Sequence, residues 1–264
     1  MIDMMLYPLL MCIPLAVLVG PVGSVLVWRR SSFLSDVIAH MGVLAFAISE
    51  ITGLPIIYVS IIVSILIAII LERSPAFIPK DAWLAGVSSL GISVGLVLLS
   101  IGGGGHNFEH IFWGELFVVD LKDVIAFMVF ASFLVMHLIV FWKSLMLVIF
   151  HEQLAALDGI PVRLVKMIIS IVSGVVIALC LKIMGLLLTG ALFVLPSIGI
   201  RFFNIAPEKH VLSTVILITL SSVLGISISV GFDVIVAPWI IIALIVLNFA
   251  AFFIKKGIDI IGEK

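Results

Sequence analysis

The chain reads as a succession of long apolar runs separated by short polar breaks. Windows dominated by Leu, Ile, Val, Phe and Ala cover Met4–Val27, Leu34–Ile51, Leu54–Leu71, Trp83–Ile101, Val124–Phe141, Val165–Leu181, Met184–Ile200, Val211–Val230 and Ala237–Ile254. Crossing the hydrocarbon core of a bilayer takes about 20 such residues per helix, and only helices or closed barrels can span because lipid offers the backbone no hydrogen-bond partner. The runs lack the alternation of a barrel strand. They predict an all-α polytopic membrane protein with about 8–9 transmembrane helices, some of them half-spans of the kind that line transport paths. No polar stretch leaves room for a soluble domain, so residues 1–264 are expected to form a single transmembrane domain. The first window has no basic segment ahead of it, is too long for a signal-peptide core and lacks a cleavage site, so it is read as a span.

The polar breaks give the orientation. Arg29 and Arg30, Arg73 and Lys80, Lys143, Arg163 and Lys166, Arg201 and Lys209, and Lys255, Lys256 and Lys264 all fall on one side when nine windows are threaded, leaving Lys122 and Lys182 on the other. By the positive-inside rule the first side is cytoplasmic, with the C-terminus inside and the N-terminus outside. These basic residues are read as topological markers. Composition agrees: 64% of residues are hydrophobic and 11% charged, against about 25% charged in soluble chains, and the mean hydropathy is +1.44. A net charge of −1 with scattered basic residues predicts no nucleic-acid partner. Cys12 and Cys180 lie within apolar runs, as packing residues do.

Ionisable side chains inside a span are costly and point to function. Asp36 and His40 stand four residues apart at the start of the second window, a spacing that stacks carboxylate and imidazole on one helical face. Together they suit zinc, manganese or ferrous iron. Asp36 could instead cap the helix with His40 packed beside it, but Glu50 lies on the same face further along, and an acid–imidazole–acid line looks like an ion path. Glu50 could also simply be solvated near the outer end. Asp233 reads as a turn residue or a cation-attracting mouth, and His137 as a packing histidine. His106, Glu109 and His110, in a Gly-rich external stretch, could receive metal from a carrier or be a solvated loop, and Glu115 could face either pore or loop. The cytoplasmic stretch of about residues 143–164, holding Glu152–Gly159, predicts a short amphipathic helix suited to docking a motor subunit, with a surface loop as the alternative. No phosphate-binding Gly-x4-Gly-Lys-Ser/Thr loop occurs, so an ATPase would be a separate chain.

These residues bring a family into view. Gly20-Pro21-Val22-Gly23-Ser24, Trp28-Arg29-Arg30-Ser31-Ser32 and Asp36 with Ala39-His40 resemble the Gly-Pro-x-Gly-Ser…Trp-Arg-Arg-x-Ser…Asp-x-x-Ala-His stretch of the membrane subunits of ABC metal-ion importers (the ABC-3 family), and within them the ZnuB-type zinc-uptake permeases. Trp113-Gly114-Glu115-Leu116 is similar to their Phe-Gly-Asp-Leu turn, Gln153–Gly159 to their ATPase-coupling loop, and Lys182–Leu187 with Leu195-Pro196-Ser197 to their Lys-x-x-Gly-x-Leu-Leu…Pro-Ala run. Two departures stand out: Ser31-Ser32 replaces the usual Met-Ser, and Ile235-Val236-Ala237-Pro238 after Asp233 replaces Pro-x-Gly-Pro. The resemblance implies ABC importer permease architecture in the bacterial inner membrane. It also implies a homodimer, two cytoplasmic ABC ATPase subunits, an extracytoplasmic metal-binding protein, and Asp36 and His40 as metal contacts. No permanently bound cofactor and no bond-breaking chemistry in this chain are expected; the transported divalent metal is zinc by the residues around Gly20–Ser24 and after His40, since manganese-type members tend to place Ser before this histidine and Leu-Pro-Gly after it. An ion-coupled secondary transporter would leave the cytoplasmic stretch unexplained. An intramembrane hydrolase lacks a His-Glu-x-x-His or Gly-x-Ser-x-Gly motif.

Overall fold

The computed structural model describes residues 2–73, 77–102, 112–114 and 116–262. The apolar windows become α1 (Ile2–Trp28), α2 (Phe33–Thr52), α3 (Ile56–Glu72), α4 (Lys80–Gly102), α5 (Leu121–Phe150), α7 (Val162–Arg201), α8 (Pro207–Phe232) and α9 (Val236–Gly262), with a short helix α6 (Glu152–Leu157) between α5 and α7. Seven are long and apolar enough to cross a bilayer, and α3 adds a shorter apolar helix of 17 residues. At a rise of about 1.5 Å per residue α3 spans roughly 25 Å, within the range of a short crossing.

The central helix is α1. Within its span 83% of the apolar window is buried, against 22% for α5 and α9, so α1 is the core and the latter two are the rim. Its side chains Met11, Leu18 and Leu26 are sealed among Ile177, Leu188 and Phe193 of α7 and Ile218 of α8. Around it α2 packs against α3, α4 and α7, while α9 closes the bundle against α7 and α8.

The windows Val165–Leu181 and Met184–Ile200 are two helices, as the sequence predicts, and they meet at Gly185 with no loop between them. They are the two arms of α7, a 40-residue element broken at Gly185 (φ 70°, ψ 173°). Straight, it would reach about 60 Å, twice the hydrocarbon thickness. The break lets the chain turn back within the bundle. It is buried, and it meets the left-handed Gly114 backbone to backbone: a Cβ on Gly185 would stand 2.4 Å from the Gly114 nitrogen, and one on Gly114 would stand 2.4 Å from the Gly185 nitrogen. Thr189 donates its hydroxyl to the Gly185 carbonyl at 2.6 Å. The two short motifs around Trp113 and Lys182 are therefore halves of one contact.

Side-chain pairs confirm how the ends are sorted. Lys182, just before the break, lies 3.6 Å from Asp123 in the first turn of α5. That turn is closed by a capping box, with the Asp123 N–H donating to Asp120 at 2.9 Å, a bond that holds the Asp120 carboxyl below the usual carboxylate range. At the opposite face Trp142 of α5 donates to Glu208 of α8 at 2.7 Å, and Trp28, at the end of α1, contacts Trp142, Phe150 and His210. Lys122 and Lys182 thus share one end of the bundle and the many basic residues the other, as the charge pattern predicts.

Replacing Gly185 or Gly114 by Ala forces a left-handed backbone, roughly 1–2 kcal/mol, into a site where the methyl overlaps facing backbone. Each variant is expected to lower the thermal denaturation temperature of the detergent-solubilised protein. Gly86→Ala, in α4 where an added methyl would meet nothing within 4 Å, serves as the control and is expected to be neutral or slightly stabilising.

Candidate functional site

The turn joining α1 to α2 sets the depth of the candidate site. Arg30 takes a left-handed φ of 54°, the Ser31 N–H returns to the Leu26 carbonyl at 2.9 Å, and Leu34 bonds back to Ser31. Ser35 adds a hydroxyl bond to the Ser32 carbonyl at 3.0 Å. This places Asp36 in the first turn of α2 and His40 one turn on, both half-buried inside the bundle.

Each of the two side chains is held by a different neighbouring helix. His40 Nδ1 lies 2.6 Å from the hydroxyl of Ser88, which is buried on α4. Ser88 gets there because Gly91 and Gly95, on the same stripe of α4, let the helix close onto α2: a Cβ on Gly95 would stand 2.8 Å from the Leu44 nitrogen, and one on Gly91 would stand 2.5 Å from Met41 Sδ. Small residues at this spacing are the usual device for close helix contact in lipid. With Nδ1 engaged by Ser88, Nε2 is the nitrogen left for a ligand. Asp36 lies against the second arm of α7, where a Cβ on Gly190 would stand 1.7 Å from Oδ1. Only glycine leaves space for that carboxylate.

Among the described residues no cluster of three or more His, Cys, Asp or Glu could hold a metal ion. The pair is therefore two donors, not a closed cage. Glu50 keeps to the same face of α2 but is exposed in the last turn. Asp233 caps α8 in a left-handed conformation (φ 53°), its N–H on the Ser229 carbonyl, and is exposed; it is a turn residue. His137 is half-buried, its ring tilted against Phe141 with centroids 4.6 Å apart, in keeping with packing. Cys12 and Cys180 are free and buried. His106, Glu109, His110 and Glu115 lie outside the described residues.

In the cytoplasmic stretch, Lys143–Phe150 continue α5, and the segment beyond it is His151–Pro161 with α6 inside. Only Ala155 of α6 is buried, while Leu154 and Leu157 are 51% and 81% exposed. Gly159 follows with φ 77° and open space around it.

Not legible in the sequence were Ser88 and the part-buried ion pair of Arg29 with Glu72, 2.8 Å apart with side chains 7% and 18% exposed. Arg29 is thus more than a topological marker. The Gly91-x3-Gly95 stripe with Ser88 one turn earlier was the signal for the first; Gly190 reads from the sequence as a span glycine that allows close helix approach, which it does, but its partner Asp36 is not legible there.

Residues 1–255 match the ABC 3 transport family. The chain belongs to that family. Within the ABC 3 transport family it is 30% identical over 233 residues to the high-affinity zinc uptake system membrane protein ZnuB of Buchnera aphidicola subsp. Acyrthosiphon pisum, covering 86% of this chain and 88% of that one. It is 23% identical over 248 residues to the manganese import system permease protein ScaB of Streptococcus gordonii, covering 93% and 89%. In fold it is similar to PsaBC from Streptococcus pneumoniae, solved in complex with Fab, with a TM-score of 0.84, 22% identity and coverage of 95% of this chain and 91% of that one. The fold is that of an ABC 3 permease, a multi-pass membrane protein.

The Asp36–Gly190 contact can be tested apart from any activity. Gly190→Ala is expected to cost about 1–3 kcal/mol by overpacking, read as a fall in thermal denaturation temperature, and Asp36→Ala in the same chain is expected to recover most of it. Additive losses in the double variant would contradict the contact.

Proposed function

We propose that this chain is the membrane-spanning permease subunit of an ATP-driven importer of divalent metal, with zinc as its cargo and Asp36 and His40 as the groups the metal meets inside the membrane. The observation that carries the reading is the pair itself: a carboxylate and an imidazole on one face of α2, half-buried, each backed by a specific neighbour. Zinc prefers four donors in a tetrahedron, and the described residues of one chain supply two. A second copy related by a twofold axis would supply the matching two, so the donor set favours a homodimer with the site on its axis. Similarity to a zinc permease at higher identity than to a manganese permease favours zinc, and carboxylate with imidazole is a donor set that manganese can also use.

Hydrolysis of ATP is assigned to a separate cytoplasmic ATPase, and delivery to an extracytoplasmic metal-binding protein. Segment 143–164 is the coupling region in this reading. Its support is α6, whose Leu154 and Leu157 are turned outward at the basic, cytoplasmic end of the bundle, where no lipid explains exposed apolar side chains and a partner protein does. Movement of α6 on nucleotide closure would tilt the spans so that the Asp36–His40 site opens to one side and then the other.

Asp36→Asn and His40→Ala are expected to reduce radiolabelled zinc uptake to background while the ATPase still co-purifies; normal uptake in both would sink the assignment. Ser88→Ala, which frees the imidazole to rotate, is expected to weaken apparent zinc affinity about tenfold. Competition by manganese and ferrous iron in cells lacking their own uptake system tests the cargo, and preferential manganese uptake would overturn zinc.

The coupling region has its own test. Gly159→Val, strained at positive φ, is expected to lose the co-purifying ATPase, whereas Gly159→Asn, which tolerates that conformation, is expected to keep it.

A further inference from the structure

The cytoplasmic ends of α1, α3 and α7 meet around a buried network that lies outside the cargo path. Arg29 Nη2 donates to Glu72 Oε1 at 2.8 Å. Its Nη1 donates to the Ser170 hydroxyl at 3.1 Å and to the Lys166 carbonyl at 3.5 Å. Ser170 in turn donates to Glu72 Oε1 at 2.5 Å, closing a triangle between three helices. The ammonium of Lys166 reaches the other way, to Glu152 of α6 at 2.6 Å. A single residue of α7 therefore touches Arg29 through its backbone and α6 through its side chain.

We propose that Arg29 is a positioning residue that carries displacement of α6 to the start of α2, and so sets the placement of Asp36 and His40. The proposal rests on the permease reading above. The path has three steps. Lys166 ties α6 to the first turns of α7. The planar guanidinium then ties α7 to α1 and α3, spending its fork on acceptors that no single-point cation can serve together. Finally, Arg29 opens the tight turn whose bonds run from Leu26 to Ser31 and from Ser31 to Leu34, so moving Arg29 moves the first turn of α2 with it. A buried ion pair is a poor device for raw stability, because desolvation offsets its attraction, and a good one for fixing which of several packings is adopted. Here it fixes the junction by which the α6 end of the molecule reaches the first turn of α2 through α1.

The test uses the whole permease–ATPase complex, reconstituted in proteoliposomes with the metal-binding protein, and reads zinc moved per ATP hydrolysed together with thermal stability. Glu72→Gln, Ser170→Ala and Arg29→Lys are expected to assemble and hydrolyse ATP but to move at least about fivefold less zinc per ATP, the lower end of site-to-site coupling. The pair Arg29→Met with Glu72→Leu removes both charges and keeps apolar volume; it is expected to retain the stability of the complex and still be uncoupled. An unchanged ratio in that double variant and in Ser170→Ala overturns the proposal, as does a loss of ATPase and uptake in strict proportion to lost complex, which is what a merely structural contact predicts. A wild-type complex that moves no zinc overturns the permease reading as well, whereas wild-type transport with unaltered variants overturns the positioning role alone.

Discussion

The structure depends on one constraint: backbone without water must find its hydrogen bonds inside the protein. An apolar stretch of 40 residues cannot cross a bilayer once, and it cannot turn inside one in contact with lipid. The chain resolves this at Gly185, where the break is buried, its carbonyl takes the Thr189 hydroxyl, and the left-handed Gly114 seats against it. Everything in the second arm of α7 follows from that reversal. It puts Gly190 against Asp36 and brings the Ser197 hydroxyl to 3.2 Å from that of Ser24 on α1.

The same constraint decides which polar side chains survive in the bundle. His40 has Ser88, and Arg29 has Glu72 and Ser170. The pair at Asp36 and His40 differs from the others in kind. It joins two groups of kinds that coordinate cations and, among the described residues, stops at two donors. A structural pair would be expected to saturate its hydrogen bonds; a transient cargo site has to leave capacity open, because conduction requires that binding be weak enough to release.

Hydropathy and basic residues made the spans, their sidedness and the Asp36–His40 face legible, because these are properties of composition and period that need no partner to be seen. What stayed hidden was pairwise. Glu72 ends an apolar helix and looks like any solvated terminus until α1 and α7 arrive beside it. Ser88 is one serine among several in α4, and only the glycines one and two turns later mark its face as the contact face. The windows Val165–Leu181 and Met184–Ile200 are legible as two helices, but not the single glycine that joins them, because a glycine with a reversed backbone leaves the same trace in hydropathy as a short turn. Glu50 kept the predicted face yet is exposed at the far end of α2, since sharing a helical face says nothing about sharing a depth.

The Trp28-Arg29 dipeptide shows how a short motif can serve two sides of a bundle. Adjacent residues at a helix end point about 100° apart, and here Trp28 goes to α5 and α8 while Arg29 goes to α3 and α7. The contact with α5 and α8 is made by aromatic rings, which tolerate sliding and tilting with little loss. The contact with α3 and α7 is a fork of directed hydrogen bonds, which does not. α1 is packed closely on the α8 side as well, where a Cβ on Gly20 would stand 3.2 Å from the Val215 nitrogen, so the two sides differ in the directionality of their contacts and not in how closely they pack.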